Sequence, residues 1–230
     1  IDVSKQIGIA NTHGIWNDLY KVDIDKDGQL DLIAGNVGTN DFFKVAPDKV
    51  AHLIAGDFFG SKKIEAVQFF HYNDQQHSKH SLDQLFTSNP LFRRLFPKYQ
   101  DYSTITMTDF LQKLPQKEFL KKKLQVKSSV WLHNSSNKLE AQTLPKMAQI
   151  SEVHGALLKD VNRDNIDDLI IIGNNFDVDV KQGKIDAGGV QLFLSNGTLG
   201  EKFDSFTYYR ISKGEYREII EIGNQVLILD

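Results

Sequence analysis

The feature that most constrains this fold is an acidic nine-residue loop that occurs twice without a gap. Asp23-Ile24-Asp25-Lys26-Asp27-Gly28-Gln29-Leu30-Asp31 aligns with Asp160-Val161-Asn162-Arg163-Asp164-Asn165-Ile166-Asp167-Asp168. Each copy runs into an apolar β-type stretch and then Gly-Asn, at Gly35-Asn36 and Gly173-Asn174. A degraded third copy runs from Asp57 to Glu65. Strand-like residues precede all three, at Trp16 to Val22, Val50 to Gly56 and Val153 to Leu158. The repeating unit is therefore strand, acidic loop, strand, and self-similarity of this kind marks a repeat architecture.

The last third of the chain reads as β throughout. Val190 to Leu194 ends at the turn pair Asn196-Gly197, and Ser205 to Ser212, Arg217 to Ile222 and Val226 to Leu229 follow, the last two joined by Gly223-Asn224. With Leu169 to Ile172 this gives about four strands per unit, the arithmetic of a β-propeller blade. The expected class is mainly β: an incomplete β-propeller of about three to four blades, built from antiparallel four-stranded units. The expected units cover 1–45, 46–145 and 146–212, with a further one beginning at 217–230. From Ser81 to about Leu124 the apolar period shifts towards 3.6, and Ser81 with Gln84 fits a capping box. A small helical insertion over 81–124 follows, its Lys121-Lys122-Lys123 run lying on a solvated helix face.

The loop chemistry points to a hard cation. Asp23, Asp25, Asp27 and Asp31 fall at loop positions 1, 3, 5 and 9, the Gln29 carbonyl falls at position 7, and Gly28 at position 6 supplies a positive φ. Oxygen donors without His or Cys favour Ca²⁺ over zinc or copper. An EF-hand needs a bidentate Glu at position 12, where this chain has Ala34 and Ile171. The second loop offers Asp160, Asn162, Asp164, the Ile166 carbonyl and Asp168. With one carboxylate fewer and Arg163 alongside, it is expected to bind Ca²⁺ more weakly. The third keeps only Asp57, Ser61 and Glu65, with Phe59 at position 3, and is expected to stay empty. Two Ca²⁺ sites are thus expected.

These segments resemble the FG-GAP/VCBS repeats of integrin-α-like β-propellers, and more narrowly the bacterial relatives of the cartilage acidic protein and ASPIC/UnbV group. The likeness rests on Gly14-Ile15-Trp16-Asn17, Gly35-Asn36-Val37-Gly38-Thr39-Asn40, His80-Ser81-Leu82-Asp83-Gln84-Leu85 and Gly183-Lys184-Ile185-Asp186-Ala187-Gly188, together with the acidic loops. The resemblance implies a seven-bladed propeller in an extracellular or cell-surface bacterial protein, with Ca²⁺ in inter-strand loops. The abrupt start at Ile1-Asp2-Val3 suggests a piece of a longer chain. The leading functional expectation is a non-catalytic binding or adhesion module, its partner an unidentified protein or glycan, with self-association through exposed blade edges as a further partner mode.

The alternative is a carbohydrate- or phosphodiester-active enzyme on the same scaffold. Its candidate residues are His71, Asp74, His77 and His80, whose bland reading is a polar hairpin tip. His13, His52, His133 and His154 read as isolated and structural. Trp16, Phe42, Phe43, Tyr208 and Tyr209 read as blade core rather than a glycan-stacking surface. Composition narrows the rest. The 27 Lys+Arg against 30 Asp+Glu give a net charge of −3, which provides no field for nucleic acid. Absence of cysteine removes a disulfide scaffold, a thiolate zinc site and a cysteine nucleophile. No apolar run reaches the ~20 residues of a membrane-spanning helix, so membrane insertion is not expected.

Overall fold

The computed structural model describes residues 2–46, 48–136, 138–178, 183–195 and 206–230. The expected Asn196-Gly197 turn lies outside them, as does Ser205. In chain order the first strands are β1 (Trp16–Val22), β2 (Asp31–Asn36), β3 (Ala51–Gly56), β4 (Glu65–Tyr72) and β5 (Gln75–Ser78). Helices α1 (Leu82–Ser88), α2 (Phe92–Leu95), α3 (Tyr99–Ser103) and α4 (Met107–Lys113) follow. Then come β6 (Leu120–Leu124), β7 (Val130–Ser135), β8 (Lys138–Thr143), β9 (Val153–Lys159), β10 (Asp168–Gly173), β11 (Val190–Ser195), β12 (Phe206–Ser212), β13 (Glu218–Ile222) and β14 (Gln225–Leu229). The described strands form four antiparallel sheets, so the chain is mainly β.

The chain divides into two compact units, 1–41 with 127–230 and 42–126. In the first, one sheet has the order β1-β2-β7-β8 and the next β9-β10-β11-β12, followed by the hairpin β13-β14. Strand β10, Asp-Leu-Ile-Ile-Ile-Gly, is buried at every position. Its unbroken apolar run reflects cover on both faces. Leu169 and Ile171 join Val22, Ile33, Trp131 and Phe193 in a core between the two four-stranded sheets. On the other face, Ile170 and Ile172 meet Ile219, Val226 and Ile228 of the hairpin. Close approach explains two glycines: a Cβ on Gly35 would stand 2.3 Å from the Val153 carbonyl oxygen, and one on Gly173 1.8 Å from that of Glu152.

The second unit holds the sheet β5-β4-β3-β6 with the four short helices packed on it. Ser81 caps α1 through the expected capping box, its Oγ accepting from the Gln84 N–H while Gln84 Oε1 accepts from the Ser81 N–H. Phe92, Phe96 and Phe110 of the helical segment meet Phe69 of β4, with ring centroids 5.2 Å apart for Phe69–Phe110 and 5.4 Å for Phe96–Phe110. The helices therefore supply much of this unit's core.

Three expectations are corrected. Units 1–45 and 46–145 are not consecutive sheets: Leu32 of β2 pairs with Leu132 of β7, so the first sheet closes only after the whole second unit has intervened. Local periodicity identifies a strand but carries no information about so distant a partner. The helical insertion ends with α4, and Leu120 to Leu124 forms strand β6 against β3. Leu120 and Leu124 fit a helical spacing, but the edge of β3 claims them. The Lys121–Lys123 run consequently lies on a strand, not on a helix face. Finally, the aromatic set splits. Phe43 is buried, Tyr208 packs on Phe193 and Trp16 packs beside Ala34 and Leu132, whereas Phe42 and Tyr209 are exposed.

Candidate metal centre

All three acidic loops close a hairpin in the same register. The residue before position 1 pairs with position 9: Val22 with Asp31, Gly56 with Glu65, and Lys159 with Asp168. The backbone inside each loop repeats as well, with left-handed φ at positions 4 and 6. These are Lys26 (58°) and Gly28 (83°), Gly60 (69°) and Lys62 (62°), and Arg163 (65°) and Asn165 (67°). Gly28 thus takes the conformation expected of it, Asn165 takes the same one at the equivalent position, and the degraded loop keeps the same trace with different residues. Lys and Arg at such angles carry a strain of roughly 1–2 kcal/mol, which the surrounding hydrogen bonds must offset.

Position 9 shows what offsets it. Each carboxylate there is buried and accepts two hydrogen bonds, one from the N–H of position 2 and one from a neighbouring segment. Asp31 accepts from Ile24 N (3.4 Å) and Asn134 N (2.7 Å). Glu65 accepts from Phe58 N (3.0 Å) and Asn89 Nδ2 (2.5 Å). Asp168 accepts from Val161 N (2.9 Å) and Ser195 N (2.9 Å). These carboxylates staple the loop mouth to the sheet.

Position 1 separates the loops. Asp160 receives Asn165 N on Oδ2 and both Arg163 N and Asp164 N on Oδ1. Asp57 likewise receives Lys62 N on Oδ2 and Ser61 N and Phe59 N on Oδ1. Desolvation raises the Asp57 pKa, but backbone N–H donors from Ser61, Lys62, Phe59 and Gly60 outweigh it and hold the carboxyl below its usual range. In the first loop, Asp23 Oδ2 accepts from Gly28 N (3.2 Å), while its buried Oδ1 has no hydrogen-bond partner. Asp23, Asp25 and Asp27 bring carboxylate oxygens within 4.8 Å of one another. Two carboxylates that close repel by roughly 3 kcal/mol at an effective dielectric of about 20. Among the described residues, the groups of three acidic or histidine side chains this tight all lie at this loop.

The structure adds a residue that the sequence reading set aside. His133 of β7 places Nδ1 3.6 Å from Asp25 Oδ2 and 3.4 Å from Asp31 Oδ1, without the alignment of a hydrogen bond to either. The β2–β7 pairing carries it there, and no local sequence signal marks that pairing. Asp27 Oδ1 accepts from the Gln29 N–H (2.7 Å), leaving the Gln29 carbonyl as the position-7 donor. In the second loop Asn162 and Asp164 bond each other (2.9 Å), Asp164 also takes the Ile166 N–H (2.8 Å), and Asp167 pairs with Lys26 at 3.1 Å. In the third, Phe59 packs edge-on against Phe92 with centroids 5.0 Å apart, so position 3 serves the helical core.

The residues proposed for an enzyme each have partners outside the set. His71 and His77 lie on opposite strands of the β4–β5 hairpin, with His71 near Gln76 Nε2 (3.1 Å) and His77 Nδ1 near the Ile105 carbonyl (3.0 Å). Asp74 sits at the turn, paired with Lys49, and the His80 carbonyl accepts from Tyr102. His52 is buried against Gln76. Burial first, then the charges of Lys121 and Lys123, push its pKa down. Searches against family models, curated proteins and solved structures find no match to this chain.

Proposed function

We propose that this chain is a Ca²⁺-stabilised β-propeller segment of a surface or secreted protein, acting as a non-catalytic binding or adhesion module. The observation that carries the reading is the first loop. There the carboxylates of Asp23, Asp25 and Asp27 converge around a buried, unpartnered oxygen, on a backbone shared with two loops that satisfy themselves. Asp23, Asp25, Asp27, Asp31 and the Gln29 carbonyl form an all-oxygen donor set suited to Ca²⁺. Bound there, the cation supplies the positive charge that relieves carboxylate repulsion and fixes the turn between β1 and β2.

The propeller reading draws support from the repetition of strand, loop and strand, and from the stacking of two four-stranded sheets and a hairpin. The second loop, through Asp160, Asn162, Asp164, the Ile166 carbonyl and Asp168, is proposed as a weaker site. There a cation has to displace N–H donors already bonded to Asp160. Thermal melts in EDTA and in millimolar CaCl₂ test the proposal. An increase in Tm with Ca²⁺, absent with Mg²⁺ and abolished by Asp25→Ala, is expected; identical melts would sink it.

A further inference from the structure

Every candidate donor within the first loop is an oxygen, but the fold brings a nitrogen to its mouth. Leu32 pairs with Leu132, so the next residue of β7, His133, stands across from Asp31. Its ring leans on the buried Trp131, with centroids 5.0 Å apart, and its Nδ1 is buried without a hydrogen-bond partner. Asp25, Asp31 and His133 each bring a ligand atom within 4.8 Å of the other two. From Nδ1 it is 3.6 Å to Asp25 Oδ2 and 3.4 Å to Asp31 Oδ1. The second loop has no such nitrogen. There Leu169 pairs with Phe193, which puts Leu194 across from Asp168. The two places correspond, because Asn134 N–H donates to Asp31 just as Ser195 N–H donates to Asp168.

We infer, on the reading of the first loop as a cation site, that His133, Asp25 and Asp31 form a Zn²⁺ site in its mouth. Two ligand atoms about 2.0–2.2 Å from one tetrahedral ion stand roughly 3.3–3.6 Å apart. Both separations at Nδ1 fall at that spacing. An imidazolium paired with a carboxylate would instead aim its N–H at one oxygen from about 2.7–2.9 Å, and Nδ1 makes no such bond. Imidazole suits Zn²⁺, whereas Ca²⁺ takes oxygen ligands. Asp31 Oδ1 retains a second lone pair while it accepts from Asn134 N–H at 2.7 Å, the kind of outer support that orients a ligating carboxylate. Three protein ligands leave the fourth position of a tetrahedral zinc to water. Asp25 belongs to this group and to Asp23-Asp25-Asp27 alike, so the Zn²⁺ and Ca²⁺ sites share one carboxylate.

Titration calorimetry of Zn²⁺ into the chelator-treated chain tests the site, with the visible absorption of Co²⁺ as a readout of ligand geometry. One Zn²⁺ per chain is expected, and Co²⁺ in its place should show the intense band of a tetrahedral site. Changing a residue that merely orients a metal ligand costs about 10–100-fold in affinity, so His133→Gln should weaken Zn²⁺ at least tenfold and abolish the band. Its Ca²⁺ titration should stay within about twofold of the wild type, because the Ca²⁺ ligands are loop oxygens. Asp25→Asn, at a partly exposed loop position, should weaken both ions and decides the matter if His133→Gln does not fold. His13→Gln, at an exposed residue, should bind Zn²⁺ like the wild type. Equal Zn²⁺ binding by the wild type and His133→Gln, or none at about 0.1 mM, overturns the inference and leaves the Ca²⁺ proposal standing. Zn²⁺ binding that depends on His133, in a chain that takes up no Ca²⁺, upholds the inference and overturns the Ca²⁺ proposal.

Discussion

Asp168→Asn isolates the staple at loop position 9 from any cation. Asp168 is fully buried and divides its two oxygens between the N–H groups of Val161 and Ser195, both at 2.9 Å. The substitution preserves size but converts one acceptor into a donor. However the amide turns, one of those N–H groups then faces an NH₂. Losing one hydrogen bond to a buried charged acceptor costs roughly 1.5–3 kcal/mol. At roughly 2–4 °C per kcal/mol for a chain of this size, Tm should fall by about 3–12 °C. Scanning calorimetry of both proteins in EDTA is the assay, because there the staple acts without metal. A variant melting within about 1 °C of the wild type in EDTA would refute the reasoning, as would a deficit that appears only with Ca²⁺.

Three further outcomes follow from the packing. Gly173→Ala, whose Cβ would fall 1.8 Å from the Glu152 carbonyl oxygen, forces a backbone shift and should cost roughly 3 kcal/mol or more, read by urea denaturation. Phe110→Ala, in the aromatic core of the second unit, should cost roughly 3–5 kcal/mol, with hydrogen exchange rising across 82–113. His52 has a lowered folded pKa, so its contribution to stability is present above the unfolded value near 6.5 and declines as pH falls below it. Tm should therefore drop between pH 7.5 and 5.5, and less so in His52→Gln.

What the sequence reveals and what it hides divide along the distance over which the residues act. The strands flanking each loop, the capping box at Ser81 and the positive φ at Gly28 and Asn165 depend on neighbours within a few residues, and the alternation of residue types exposes them. The chain excursion between β2 and β7 is invisible, because Val130 to Ser135 reads equally well as a strand in any sheet. His133 was hidden for the same reason: its place beside Asp25 and Asp31 depends on that pairing alone. Strand β6 is not marked in the sequence, because Leu120 and Leu124 satisfy a helical period and only the open edge of β3 decides between helix and strand. Residue counting ranks the three loops, but the physical reason for the ranking lies in the backbone hydrogen bonds, which it does not see. Asp160 and Asp57 look like ligands in the sequence, yet the fold commits both of their oxygens to backbone donors, whereas Asp23 keeps one in reserve.

The proposed Ca²⁺ site of the first loop turns on one atom, the unpartnered Oδ1 of Asp23. Titration calorimetry of Ca²⁺ into the chelator-treated chain, beside Asp23→Ala and Asp160→Ala, tests it most directly. A tight first event of one ion per chain is expected, lost in Asp23→Ala and kept in Asp160→Ala. A first event that survives in Asp23→Ala, or no Ca²⁺ heat in the wild type, would contradict it.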